Sequence, residues 1–351
     1  MDVAIIGAGG DCGREIVTQL LGERVLSPAE RLQLVGRAEG SSAGKLFGMC
    51  TDLSDAYAEI APELDVALHP EEVVADVIVM TAGVTVAGQT TSRETLAQAN
   101  LPLFHSYAQA IEKYGHGHEI VLIVSNPVEL AVEVFSQYLG RYRVIGIGAY
   151  SDSLRFRREI ANTLGMRRQL IQGFVVGEHG DGMVPLWSSV RIHGMNTEER
   201  LSTISRLQGD RQISQFPSEM TSSKQTVLDY LSSGQIRKAF EYVDHLPPDL
   251  RVVLRPYVTH TSGAKTAAAT ANVTVDLVRT LLDGREIVVS GQVRLDGEFY
   301  DIQTPIGVPI VVSTQGWTQV VPLQLWADEE QLLLQMVDRL SSKIKEWSRY
   351  G

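Results

Sequence analysis

The sequence predicts an α/β fold: a Rossmann-type, doubly wound parallel sheet followed by a mixed α+β domain. Three observations predict it. Short runs at 3–6, 32–35, 66–68, 76–80, 120–124 and 144–145 are mostly apolar rather than alternating, as strands covered on both faces should be. The first run passes straight into the glycine-rich turn Gly7-Ala8-Gly9-Gly10-Asp11-Cys12-Gly13, and then into a segment with Ile16, Val17, Leu20 and Leu21 at helical spacing. Late in the chain, an alanine-rich helix over 267–282 precedes strands at 287–289 and 308–312, which complete an antiparallel part.

The opening strand, turn and helix form the first unit of a dinucleotide-binding fold. Glycines let backbone approach a pyrophosphate, and the helix N-terminus offers free N–H groups and a favourable dipole. Gly7, Gly10, Asp11, Cys12 and Gly13 are the candidate cofactor contacts. The spacing departs from G-x-G-x-x-G, because Cys12 stands at its last position. The plain alternative is a tight strand–helix turn with no ligand.

The second strand ends at Gly36-Arg37, where an NAD site usually carries an acid for the ribose hydroxyls. A guanidinium can instead pair with a 2′-phosphate, so the cofactor is expected to be NAD or NADP, with NADP favoured. Ser41 and Ser42 could add hydroxyl donors. The competing reading makes Arg37 a solvated loop residue and gives the ribose to Glu39. Gly83 and Asn126 fall at carboxyl ends of strands, where ligands bind in open α/β sheets. Gly83 is placed against the cofactor backbone, and Asn126 near the nicotinamide or the reacting oxygen.

Between Gly83 and Asn100, the polar, glycine-containing stretch 84–92 reads as a lid over this cleft. Arg93, at its end, would polarise a carbonyl as the lid closes. The chemical centre is expected further on, where Gly177-Glu178-His179-Gly180-Asp181 follows an apolar run. Asp152 and Arg155 lie three apart and share a helical face. A histidine that moves a proton needs a carboxylate to fix its tautomer, and an arginine fork suits a substrate carboxylate. His179 and Asp152 are therefore the catalytic candidates, with Arg93, Arg155 and Asn126 binding substrate. No metal is called for, since Arg93 and His179 supply the electrophilic help.

Composition bounds the alternatives. A chain of 351 residues is long enough for two domains, expected at 1–148 (cofactor) and 149–351 (substrate), with a helical insertion at about 196–258. A net charge of −11 argues against nucleic acid or an anionic membrane as partner. Cys12 and Cys50 make neither a disulfide framework nor zinc spacing. No apolar run reaches the roughly 18 residues of a membrane helix, and no signal sequence precedes the first strand, so a reducing cytoplasm is expected.

The chain resembles the lactate/malate dehydrogenases. The motifs that carry the resemblance are the glycine turn, Thr81-Ala82-Gly83-Val84, Arg93 with Asn100, Ser125-Asn126-Pro127, Asp152-Ser153-Leu154-Arg155, Gly177-Glu178-His179-Gly180-Asp181 and Ile306-Gly307-Val308-Pro309. The resemblance implies reversible hydride transfer between NAD(P)H and a small 2-oxo acid. His179 would exchange the proton, Asp152 would hold it in position, Arg155 would bind the carboxylate and Arg93 would stabilise the oxyanion. It also implies a place for Asn100 among the cofactor residues, and a homodimer or homotetramer. Two departures stand out: Gly36-Arg37, and a lid with Gln89 but no arginine before Arg93, where malate dehydrogenases usually bind a second carboxylate. The second favours a monocarboxylate, unless Lys265 serves as the second cation. Two other readings remain: a catalytically silent NADP-binding sensor, and a family 4-like NAD-dependent glycosidase, which would need a cysteine–histidine metal site in the second domain.

Overall fold

The computed structural model describes residues 1–84 and 92–350, Tyr350 without its side chain. Most of the expected lid, including Gln89, lies outside the described residues. Strands β1 (Val3–Ile6), β2 (Arg31–Val35), β3 (Glu63–Ala67), β4 (Val77–Met80), β5 (Ile120–Ile123) and β6 (Val144–Gly146) form a parallel array in the order β3-β2-β1-β4-β5-β6. β1 pairs with both β2 and β4, so the winding direction reverses at β1 and a crevice opens above it. Val3, Ala4, Ile5 and Ile6 are fully buried, which explains why β1 reads as an unbroken apolar run.

Helices α1 (Asp11–Gly22), α2 (Ser42–Ala56), α3 (Arg93–Tyr114) and α4 (Val128–Leu139) lie between these strands in sequence. α3 starts where Ser92 Oγ accepts the Thr95 N–H, a side-chain N-cap. The chain continues through α5 (Gly148–Leu164), β7 (Ile171–Gly177) and β8 (Met183–Ile192). The stretch expected to be a helical insertion holds α6 (Thr197–Gln208), α7 (Phe216–Ser232), α8 (Ile236–Asp244) and α9 (Pro248–Thr261). Then follow α10 (Ala267–Asp283), β9 (Ile287–Arg294), β10 (Pro305–Ser313), β11 (Gly316–Val320) and α11 (Ala327–Trp347). α11 packs across α3, α4, β7 and β8.

The sheet does not stop at β6. Gly146 of β6 pairs with Gln292 of β9, β9 pairs along β10, and Gly307 of β10 pairs with Gly177 of β7. One eleven-stranded sheet thus runs through both halves of the chain. It carries the end of β7, and hence His179, beside the carboxyl ends of the parallel strands. A buried cluster holds α9 to α5: Arg251, whose side chain is 9% exposed, donates to Glu159 Oε2 at 2.8 Å and to the Leu246 carbonyl at 2.7 Å. Among the described residues, no helix is long and apolar enough to cross a membrane. Both cysteines are free.

Candidate active site

A cleft of about 1440 Å³ runs from the glycine turn over the carboxyl ends of β1, β2, β4 and β5 to His179. At the cofactor end, α1 begins at Gly10 with no side-chain cap, so its first N–H groups are left for a ligand. The helix can start this close to β1 because position 13 has no side chain: a Cβ on Gly13 would sit 2.2 Å from the Gly7 carbonyl oxygen. This uncapped, glycine-lined turn fits a dinucleotide pyrophosphate. Gly7, Gly10, Asp11, Cys12 and Gly13 all line the cleft, and so do Gly36, Arg37, Gly83 and Asn126. Glu39, Ser41, Ser42 and Lys45 line it next to Arg37. Ser42 Oγ accepts the Arg37 N–H at 3.2 Å and opens α2, whose N-terminus also has no side-chain cap.

At the substrate end, His179 Nδ1 lies 2.7 Å from Asp152 Oδ2, and Arg155 Nη1 donates to the other oxygen, Oδ1, at 2.8 Å. The spacing of three on α5 places both residues on the cleft face. Asp152 is 1% exposed. Burial opposes its ionisation, but the His179 and Arg155 charges and their hydrogen bonds outweigh it and hold the carboxyl below its usual range. With Nδ1 on the carboxylate, Nε2 is the ring nitrogen left for the cleft. The imidazole packs onto the start of α5, where a Cβ on Gly148 would meet His179 Cγ at 2.5 Å.

Two groups near His179 escaped the sequence reading. Glu129 Oε1 accepts the His179 backbone N–H at 2.7 Å and fixes the loop that carries the ring. Glu129 is fully buried, its Oε2 has no hydrogen-bond partner, and burial outweighs the nearby Arg93 charge to push its carboxyl up. The one available signal was its place directly after Asn126-Pro127-Val128. The other group is His260 of α9, which lines the cleft; burial first, then the Arg155 charge, pushes its imidazole down and keeps it neutral.

Three expected residues have partners within the chain that the sequence did not show. Asn100 is 1% exposed and uses its amide within the protein, donating to the Asn126 carbonyl at 2.8 Å and accepting the Val84 N–H at 2.6 Å. It positions the loops after β4 and β5, behind Gly83 of the cleft. Arg93 pairs with Glu178 and lies 3.7 Å from Glu129, so its guanidinium, packed against Gly180 of the cleft, is engaged by two buried carboxylates. Lys265 pairs with Asp11 at the start of α1, on the cofactor side. The ammonium beside the His179 loop belongs instead to Lys224 of α7, which pairs with Asp181 and lies 5.0 Å from the centre of the Tyr257 ring.

A switch-point cleft able to seat a dinucleotide, ending at one histidine poised for proton exchange, suits hydride transfer to a small acid. The class is that of the NAD(P)-dependent 2-hydroxy acid dehydrogenases. Residues 1–146 match the sequence model of the lactate/malate dehydrogenase NAD binding domain, and residues 258–349 match that of the family's alpha/beta C-terminal domain. The chain belongs to the lactate/malate dehydrogenase family. It is 26% identical to an L-2-hydroxycarboxylate dehydrogenase (NAD(P)(+)) of Methanocaldococcus jannaschii, over 94% of this chain and 93% of that one. It is 28% identical to L-lactate dehydrogenase 2 of Enterococcus faecalis, over 96% and 94%. It is also 26% identical to a malate dehydrogenase of Halobacterium salinarum, over 98% of both chains. In fold, it is similar to the lactate dehydrogenase of Cryptosporidium parvum, with a TM-score of 0.75 at 22% identity, covering 99% of this chain and 98% of that one. Asp152, Arg155 and His179 fall between the two matched spans, so the reading of these three rests on their geometry.

Proposed function

We propose that the enzyme reduces an uncharged-side-chain 2-oxo acid reversibly, with NADP accepted as readily as NAD or more so. The observation that supports this best is the buried Asp152, which shares its two oxygens between His179 and Arg155. Residues 1–148 hold the cofactor through Gly7, Gly10, Asp11, Cys12, Gly13, Gly36, Arg37, Gly83 and Asn126, and residues 149–351 hold the substrate. A nicotinamide cofactor held there would supply a hydride for the carbonyl carbon. His179, protonated, gives its Nε2 proton to the carbonyl oxygen, so that the 2-hydroxy acid leaves and a neutral imidazole remains. Asp152 stabilises the imidazolium before transfer and keeps the ring oriented. Arg155 binds the substrate carboxylate with its fork. Arg93 serves the reacting oxygen only after leaving Glu178, which ties its role to the segment 85–91 just before it.

Substrate selection follows from α9. Val252, Val253, Pro256 and Tyr257 line the cleft, clamped by Arg251 to the helix that carries Arg155. Lys224 and Lys265 each already pair with an aspartate, so neither is a free cation for a second carboxylate. Cofactor selection rests on Arg37, Lys45 and the N-terminus of α2, which favour a 2′-phosphate over the repulsion of Glu39. The test is loss of NADPH or NADH absorbance against 2-oxo acids from pyruvate through branched and aromatic chains to oxaloacetate. Branched or aromatic acids should exceed oxaloacetate in kcat/KM by about tenfold or more, equivalent to about 1.4 kcal/mol. Arg37→Asp should reverse the NADPH/NADH preference. Preferred turnover of oxaloacetate, or an unchanged cofactor ratio in Arg37→Asp, would overturn the corresponding half. Family membership supports a homodimer or homotetramer, and sedimentation equilibrium tests the assembly.

A further inference from the structure

At the opposite end of the parallel strands from the cleft, Asp76, His116 and His118 converge. Their donor atoms all lie within 4.8 Å of one another. Asp76 Oδ1 is 3.4 Å from His118 Nε2 and 3.7 Å from His116 Nε2. A tetrahedral ion with bonds of about 2.0–2.1 Å separates its ligands by about 3.3–3.4 Å, close to both Asp76–histidine separations, and rotation of the exposed His118 ring is what would bring the second Nε2 onto the ion. We propose that Asp76, His116 and His118 bind a divalent transition cation, Zn²⁺ fitting best, with water completing the tetrahedron.

Beyond proximity, the surrounding contacts are those of a built site. His116 Nδ1 faces Glu119 Oε1 at 3.3 Å, leaving Nε2 to point at Asp76. Glu119 is 1% exposed and is itself held by the Gly117 N–H at 3.1 Å. A buried carboxylate behind a histidine fixes the tautomer and orients the ring, as it does for metal-bound imidazoles. Asp76 is oriented in the same way, because its other oxygen, Oδ2, accepts the Asp2 N–H at 2.7 Å. The turn at Gly117 (φ +87°) brings the two imidazoles together, stacked with centroids 3.7 Å apart and planes 22° apart, so an ion would be bound with one ring, the exposed His118, turned out of the stack. Two imidazoles and one carboxylate suit a borderline cation and not Mg²⁺ or Ca²⁺, which prefer all-oxygen shells.

Placement gives the ion a structural task. The Asp76 N–H donates to the Asp2 carbonyl, and the Asp76 carbonyl accepts the Ile120 N–H, so the site joins the starts of β1, β4 and β5. Asp76 precedes β4 while Thr81 of the cleft follows it, so the cation and the nicotinamide cofactor occupy different ends of the sheet.

The test uses the full chain, stripped of metal by a chelator and titrated with Zn²⁺ by calorimetry, with melting followed in parallel. The wild type should bind one equivalent and melt higher with Zn²⁺ but not with Mg²⁺. His118→Ala, at an exposed position, and Asp76→Asn, which keeps an acceptor for Asp2, should weaken binding by about 10- to 100-fold or more. Turnover of His118→Ala without Zn²⁺ should equal that of the wild type, and His179→Ala should bind Zn²⁺ undiminished. Absence of stoichiometric binding in the wild type, unchanged affinity in His118→Ala, or loss of binding in His179→Ala would each overturn the proposal.

Discussion

Asp152→Asn removes one charge at the centre of the proposed chemistry while keeping the side chain's size. The Nδ1–Oδ2 separation of 2.7 Å puts the imidazolium and carboxylate charge centres about 4 Å apart. At the effective dielectric of about 20 that suits protein sites, their attraction is about 4 kcal/mol. Asp152 is 1% exposed, so solvent screens little of it. At about 1.4 kcal/mol per decade, the asparagine enzyme should lose about 10³ in kcat/KM for 2-oxo acid reduction. The asparagine change in a serine protease triad lowers kcat by about 10⁴, so the figure lies in a known range. The assay is NADPH consumption under saturating cofactor, with NADPH affinity measured separately by fluorescence as a check on folding. Affinity should be unchanged, because Asp152 faces His179 and Arg155 rather than the glycine turn. Activity within tenfold of the wild type, in a variant that binds NADPH normally, would refute the assignment of His179 as the proton donor held by Asp152.

Other perturbations test other contacts. Glu129 has its carboxyl pushed up by burial, so its contribution to stability is fully present below the unfolded-state value and is lost as pH rises through the folded one. Glu129→Gln should therefore gain melting temperature relative to the wild type as pH rises above the usual carboxylate range; a flat or falling difference would contradict the raised carboxyl. Arg251→Ala removes one of three arginines paired with the buried Glu159, and urea unfolding should show a loss of at most about 3–5 kcal/mol, less whatever Arg158 at 2.6 Å and Arg255 at 3.0 Å recover. Gly148→Ala forces a Cβ against the imidazole and should lower kcat strongly while sparing NADPH binding; normal kcat would mean the ring tolerates displacement.

Much of this was legible from residues alone, for identifiable reasons. The parallel strands read as apolar runs because both faces are covered, and the glycine turn announces α1 because its spacing is local. Asp152 and Arg155 could be paired from helical periodicity, and His179 placed at a strand end. What stayed hidden depends on long-range register. Nothing local to Glu129 says that it will hold the His179 backbone, fifty positions away. Lys265 appeared free as a candidate second cation until folding brought it onto Asp11, 254 residues distant. Asn100 and Arg93 were assigned to ligands by motif, but their partners within the chain sit on other elements, which only the packed structure identifies. Lys224 lay in a stretch marked only as a helical insertion.

The ladder that crosses from β6 to β9 has a consequence for how the molecule can be divided. Cutting the chain after residue 148 would strip β6 of its neighbour β9 and lay bare a raw sheet margin of unpaired amides and carbonyls, together with the apolar surface of α4 beneath β9 and β10. An isolated cofactor half should therefore be sticky rather than well behaved, however complete its glycine turn. Swapping halves between relatives would succeed or fail on the seam at Gly146 and Gln292, a few backbone bonds remote from any reacting atom.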